Sequence, residues 1–133
     1  MDHSPGFLKL VEEVGRDVKE VTIDEVARRL KGQLDFVLID VREDSEWQAG
    51  HLPQAMHIGK GVIERDIELK IPDLHRPLIL YCGGGYRSLL AANSLLKMGY
   101  TQVLSMSGGY RGWNEQNLPI SKDDELSAKD LSL

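Results

Sequence analysis

Apolar positions along the chain follow two rhythms. In residues 5–18, Phe7, Leu10, Val11 and Val14 recur at helical spacing between Lys9, Glu12, Glu13 and Arg16, which predicts an amphipathic helix. "VTIDEVARRLKGQ" predicts a second helix, with Thr22 as its N-cap, Glu25 completing a capping box and Gly32 as its stop. "FVLID" at 36–40 and "PLILYC" at 77–82 are instead continuous apolar runs. Runs of this kind form strands covered on both faces, as in a parallel sheet. Pro77 opens the second run, where no ladder donor is lost. "QVLSM" predicts a third strand and "AMHI" at 55–58 a brief one. Between them lie "EDSEWQAG", a short helix closed by Gly50, and "GVIERDIELKI", a helix ending before Pro72. "YRSLLAANSLLKMG" is the strongest helix, with a stripe of Leu89, Ala92, Leu95 and Leu96 and a stop at Gly99. "GGYRGWNEQ" opens the last one.

Strands alternating with helices predict an α/β fold: a central parallel sheet with helices on both faces. Ligands of such sheets bind beyond the carboxyl ends of the strands. Asp40, Cys82 and Ser107 each end a predicted strand, so all three are expected at one edge. The chain divides into an N-terminal helical segment at 1–19, a domain at 20–120 and a polar tail at 121–133. The N-terminal helix is expected to pack on the sheet, because an isolated amphipathic segment of its length is marginal.

The length of 133 residues suits one hydrophobic core, and 41% hydrophobic with 28% charged residues describes an ordinary globular chain. A net charge of -5 argues against extended nucleic-acid binding, which needs clustered Lys and Arg. No run approaches the roughly 18 apolar residues of a membrane span. The charged first residues lack a signal-peptide core, so a cytoplasmic location and no membrane partner are expected. The single cysteine, Cys82, excludes an intramolecular disulfide and a multi-thiolate metal site. Any resolving group for it must come from another molecule. His51 and His57 lack a third ligand at metal spacing and read as packing histidines bonded to nearby backbone. Trp47 and Trp113 read as core or rim aromatics. No metal and no cofactor are expected.

The candidate chemistry lies in "YCGGGYRS" at 81–88. A lone cysteine at a strand end is ordinarily a small buried hydrophobe. Three successive glycines change that reading, because each costs about 0.5–1 kcal/mol of backbone entropy relative to alanine. Gly83, Gly84 and Gly85 let successive N–H groups turn inward, and the helix starting near Ser88 adds its own donors. Such a cradle stabilises a sulfur anion. Arg87 adds a positive charge, to the anion or as a brace for the loop. Tyr86 is expected at the surface, where an acceptor could meet it, and Ser88 facing the sulfur. Cysteine phosphatases place one residue more between Cys and Arg to wrap a tetrahedral phosphate. The four residues from Gly83 to Tyr86 define a smaller cavity, suited to one sulfur atom carried as a persulfide.

Three ordered motifs carry a resemblance. "VLIDVREDSEWQAGHLPQAMHI", "YCGGGYRS" and "MSGGYRGW" are similar to the three signatures of the rhodanese (sulfurtransferase) homology domain, of the small single-domain kind, over about residues 20 to 120. The resemblance implies a rhodanese-like fold and a two-step reaction. Cys82 takes sulfane sulfur from a small-molecule or protein donor, becomes a persulfide and passes the sulfur to a thiol or to cyanide. It implies Cys82 as nucleophile and residues 83–88 as the anion-binding loop. Asp40 braces the edge, Arg42 pairs with a carboxylate such as Glu46, and Gly108 and Gly109 permit close backbone approach. Thiosulfate-using members carry a basic residue directly after the cysteine; here it is Gly83, so a persulfide donor fits as well as thiosulfate. Lys60 and Arg65 are expected to approach the mouth in compensation. Two rivals are a non-enzymatic module of the same fold and a related-fold phosphatase or arsenate reductase.

Overall fold

In the computed structural model, which describes residues 3–122, side-chain alternation along the strands divides the core into two layers. The elements run α1 (Pro5–Gly15), β1 (Lys19–Val21), α2 (Ile23–Lys31), β2 (Val37–Asp40), α3 (Asp44–Ala49), β3 (Met56–His57), α4 (Ile63–Lys70), β4 (Leu78–Tyr81), α5 (Tyr86–Met98), β5 (Val103–Met106) and α6 (Gly109–Glu115). The five strands form one sheet in the order β1-β5-β4-β2-β3. Every pairing is parallel, with Val37 opposite Leu78 and Asp40 opposite Tyr81 at the centre. The expected α/β architecture is therefore the one observed.

One face of the sheet, with Ile39, Leu78, Leu80 and Cys82, packs against α1, α4 and α5 through Val11, Ile67, Leu89 and Leu95. The other, with Leu38, Ile79, Tyr81 and Met106, packs against α2 and α6 through Val26 and Trp113. Both faces of β2 and β4 are covered, which is why these strands read as unbroken apolar runs.

Local signals placed most boundaries. Thr22 accepts a hydrogen bond from the Glu25 amide at 3.1 Å, while the Glu25 carboxylate accepts from Arg29 Nε at 2.7 Å. Helix α2 ends at Gly32 with an ordinary helical φ of -80°, and the left-handed residue is the next one, Gln33. Strand β1 has no counterpart among the predicted elements. It is three residues long and its Lys19 and Glu20 side chains are exposed, so it carries no apolar run. Helix α1 does pack inward, against α5, but ends at Gly15. Only Val11 of its stripe is buried; Phe7 and Val14 are half-buried and Leu10 is exposed. Ser121, expected in the polar tail, pairs with His51 in an antiparallel bridge. Residues 123–133 of that tail lie outside the described residues. Among the described residues, no helix is long and apolar enough to cross a membrane.

Candidate active site

Strands β2, β4 and β5 deliver Asp40, Cys82 and Ser107 to the same edge of the sheet, since parallel strands end together. Cys82 is the first residue past β4 and is 1% exposed. The Gly85 N–H donates to its Sγ at 3.0 Å, and Ser88 Oγ lies 3.4 Å from the same sulfur. Ser88 is buried on the first turns of α5 and shares a hydrogen bond with Ser105 of β5 at 2.8 Å. Sulfur, amide and hydroxyl thus meet at the start of α5, where the helix dipole favours negative charge.

Of the three glycines, only Gly85 has left-handed backbone, at φ +109°. Its turn brings its amide to the sulfur. Gly83 has a different reason: a Cβ there would sit 2.9 Å from the Arg87 guanidinium. At Gly84 a Cβ would meet nothing closer than Arg111, at 3.8 Å.

Helix α6 clamps the loop from the side. The amides of Tyr110 and Arg111 donate to the carbonyls of Cys82 and Gly83, at 2.8 and 3.0 Å. Gly109 makes this approach possible, because a Cβ would fall 2.5 Å from the Cys82 carbonyl oxygen. Of the paired glycines, Gly109 thus makes the close backbone contact; at Gly108, with φ +83°, a Cβ would instead meet the Ile23 side chain at 3.0 Å.

A buried ionic network holds the other wall. Asp40 binds Arg42 through both oxygens, with Arg42 Nη2 at 2.8 Å from Oδ2, and also accepts from the Arg42 amide at 2.9 Å. Arg42 Nη2 donates to the Gly50 carbonyl at 2.6 Å, and its guanidinium lies over the Tyr110 ring at 4.0 Å. Burial opposes the charge on Arg42, but the hydrogen bond and charge of Asp40 outweigh it, and the net shift is upward. Burial likewise pushes the Tyr81 phenol up, with the Asp40 charge adding to it. Arg42 was expected to pair with Glu46. Instead Glu46 takes Arg87, with Oε1 and Oε2 accepting at 2.8 and 3.1 Å. The Arg87 hydrogen bond, working against burial and aided by the Glu43 amide, lowers the Glu46 carboxyl to about 2. The physical reason for the exchange is reach: Asp40 and Arg42 lie side by side at the end of β2, whereas Glu46 projects from α3 toward the loop.

A cavity of about 620 Å³ opens over Cys82, lined by the glycine loop, Glu46, Arg87, Arg111, Tyr86, Phe7 and His3. Lys60 and Arg65, expected near this mouth, are not among its lining residues. Arg65 pairs with Asp66 on the exposed side of α4, and Lys60 follows the β2–β3 edge with its amide on the Val41 carbonyl. Their place as the nearby cation is taken by Arg111, two residues beyond Gly109. Its signal in the sequence was its position in "GGYRGW", next to glycines that demand close contact with the loop. His51 and His57 stack on Trp47, at 3.5 and 4.9 Å between centroids. Their Nδ1 and Nε2 atoms bond the Leu52 and Arg42 carbonyls. Among the described residues, no cluster of three or more His, Cys, Asp and Glu could hold a metal ion.

The rhodanese-like domain family matches residues 22–116. A sulfurtransferase of Allochromatium vinosum is 31% identical over 103 residues, covering 77% of this chain and 94% of its own. A thiosulfate sulfurtransferase of Pseudoalteromonas translucida is 30% identical over 95 residues, covering 71% and 88%. Among solved structures, a Rhodopseudomonas palustris protein of unknown function, described as a possible tyrosine phosphatase, superimposes with a TM-score of 0.75 at 25% identity, covering 91% of this chain and 98% of its own.

Proposed function

We propose, from the premise that this chain belongs to the rhodanese-like domain family, that it is a sulfurtransferase whose carrier is Cys82. The observation that supports this most is the pair of polar groups on one sulfur, an amide that donates to it and a hydroxyl beside it. The Gly85 amide and the Ser88 hydroxyl converge on Cys82 Sγ beneath an open cavity. Preorganised donors of this kind stabilise charge without reorganising during reaction.

In the first step the Cys82 sulfur anion attacks the outer sulfur of a donor such as thiosulfate. A new S–S bond forms, the donor's own S–S bond breaks, and its electron pair leaves with sulfite. Cys82 is then a persulfide anion, held by the amide and hydroxyl that held the thiolate. In the second step a thiolate or cyanide attacks the terminal sulfur, and Cys82 leaves as the anion. The sulfur ends on the acceptor as a persulfide or as thiocyanate. Glu46–Arg87 and Asp40–Arg42 act as positioning pairs in this scheme, and residues 20–120 carry the reaction.

A phosphatase reading is weaker. The loop has only Gly83 to Tyr86 between Cys82 and Arg87, and the Arg87 guanidinium is committed to Glu46 rather than free to embrace a phosphate. The experiment is intact-mass analysis after incubation with thiosulfate or an organic persulfide. The expected result is a gain of one sulfur atom, reversed by cyanide and missing in Cys82→Ser. No gain from either donor, with hydrolysis of an aryl phosphate, would overturn the proposal in favour of the phosphatase. No gain and no hydrolysis would favour a binding module.

A further inference from the structure

The cavity over Cys82 is completed by an element outside the family match. Helix α1 precedes residue 22, yet Phe7 on it and His3 just before it line the cavity. Their rings form a cluster with Tyr86 of the loop: His3–Phe7, His3–Tyr86 and Phe7–Tyr86 centroids are 5.2, 5.1 and 6.2 Å apart. These are the separations of interacting aromatic pairs. The helix is anchored on α5 by the buried Val11, so the wall is attached to the same helix that carries Ser88.

The charges around the cavity are unequal in availability. Arg87 is neutralised by Glu46. Arg111 is exposed and, among the described residues, makes no ion pair. Its backbone is fixed to the Gly83 carbonyl, so the available guanidinium is tethered beside the loop. An inorganic dianion such as thiosulfate would fill a small part of 620 Å³ and leave the aromatic wall untouched. Cavities of that size with an apolar wall and one placed charge suit organic ligands.

Building on the sulfur-transfer reading, we propose that this cavity is a recognition subsite for an organic sulfur donor bearing an anionic group. Phe7, His3 and Tyr86 receive the apolar body, and Arg111 receives the charge. With a thiosulfonate donor the Cys82 thiolate attacks the outer sulfur, the bond between the two donor sulfurs breaks, and the electron pair leaves on the organic sulfinate. Cys82 is left as the persulfide anion, and the total charge is unchanged.

The test compares Cys82 loading, followed by intact mass, from benzenethiosulfonate, methanethiosulfonate and thiosulfate. Each rate is normalised to the same donor's uncatalysed reaction with a small free thiol. The wild-type protein should favour the phenyl over the methyl donor by about ten-fold, the scale of one aromatic contact. Phe7→Ala and Tyr86→Ala should each shrink that ratio toward one. Circular dichroism of Phe7→Ala checks that α1 stays helical, and Tyr86→Ala, which leaves α1 unaltered in sequence, carries the test if it does not. Arg111→Gln should lower the second-order loading rate constant for both organic donors by about ten-fold through a higher half-saturating donor concentration, with Arg111→Lys restoring part of it. Equal normalised rates for the two organic donors in the wild type, a ratio that survives both aromatic substitutions, or an Arg111→Gln variant with an unaltered half-saturating concentration would overturn the subsite. Loading from none of the three donors would instead overturn the sulfur-transfer reading beneath it.

Discussion

Glu46 and Arg87 form a two-pronged ion pair, 2.8 and 3.1 Å between their terminal atoms, that ties α3 to the first turn of α5, directly after the glycine loop. The same carboxylate accepts from the Glu43 amide at 2.9 Å, so it caps its own helix while holding the loop. Both side chains are about a third exposed, at 35% and 33%. The pair therefore counts for less than its geometry suggests.

The Glu46 carboxyl is lowered from 4.5 to about 2, so its stabilising contribution is complete above pH 4.5 and lost as pH falls toward 2. Glu46→Gln should lower stability at pH 7 by about 1 kcal/mol, after allowance for solvent screening. The difference from wild type should shrink across that window and vanish near its acid end. Urea unfolding at several pH values measures it. A difference that stays constant with pH would show that the charge is not the cause.

Asp40 and Arg42 are a buried pair, at 0% and 3% exposure. Asp40→Asn leaves the Arg42 charge without its partner inside the protein and should destabilise by about 3–5 kcal/mol. The double substitution Asp40→Leu with Arg42→Met should lose less than the single one, because no buried charge remains. Thermal or urea unfolding of both variants decides this, and the reverse order would contradict the assignment.

Gly109 and Gly84 should behave oppositely. Gly109→Ala places a methyl 2.5 Å from the Cys82 carbonyl oxygen and 2.7 Å from that of Gly83. Helix α6 must back away from the loop, at a cost of about 2 kcal/mol or more. Gly84→Ala meets only the Arg111 side chain, at 3.8 Å, and should change stability by no more than about 0.5 kcal/mol. Unfolding midpoints of the two variants test the contrast.

Ser88 stands 3.4 Å from Cys82 Sγ and 2.8 Å from Ser105 Oγ. Ser88→Ala removes the hydroxyl beside the sulfur, which also donates to the Gly85 carbonyl at 3.3 Å, and should slow Cys82 loading by about ten-fold, the equivalent of one hydrogen bond. Ser105→Ala, one bond further out, should slow it less. Time-resolved mass analysis of the sulfur gain distinguishes them, and equal rates for wild type and Ser88→Ala would remove Ser88 from the scheme.

Much of this was legible in the sequence because it is local. The runs at 36–40 and 77–82 announced strands buried on both faces, and the glycines at 83–85 announced a tight turn, in which the Gly85 amide, rather than a succession of amides, donates to the sulfur. Parallel strands end on one side, so Asp40, Cys82 and Ser107 could be placed at one edge before any coordinates. Strand β1 escaped because its three residues carry no apolar pattern of their own. Its strand character comes from pairing with β5.

What only the tertiary structure decided is which distant side chains share a charge or a wall. Arg42 had Asp40 and Glu46 both within reach along the chain, and the choice depended on where α3 aims its carboxylate. Arg111, rather than Lys60 or Arg65, became the cation beside Cys82 because Gly109 lets α6 touch the loop. Phe7 and His3 reached the cavity because α1 settled on α5. Strand and turn preferences act between near neighbours in the chain and leave their mark in its pattern. Ion pairs and aromatic contacts form between residues brought together by packing, and the linear order carries no record of those distances.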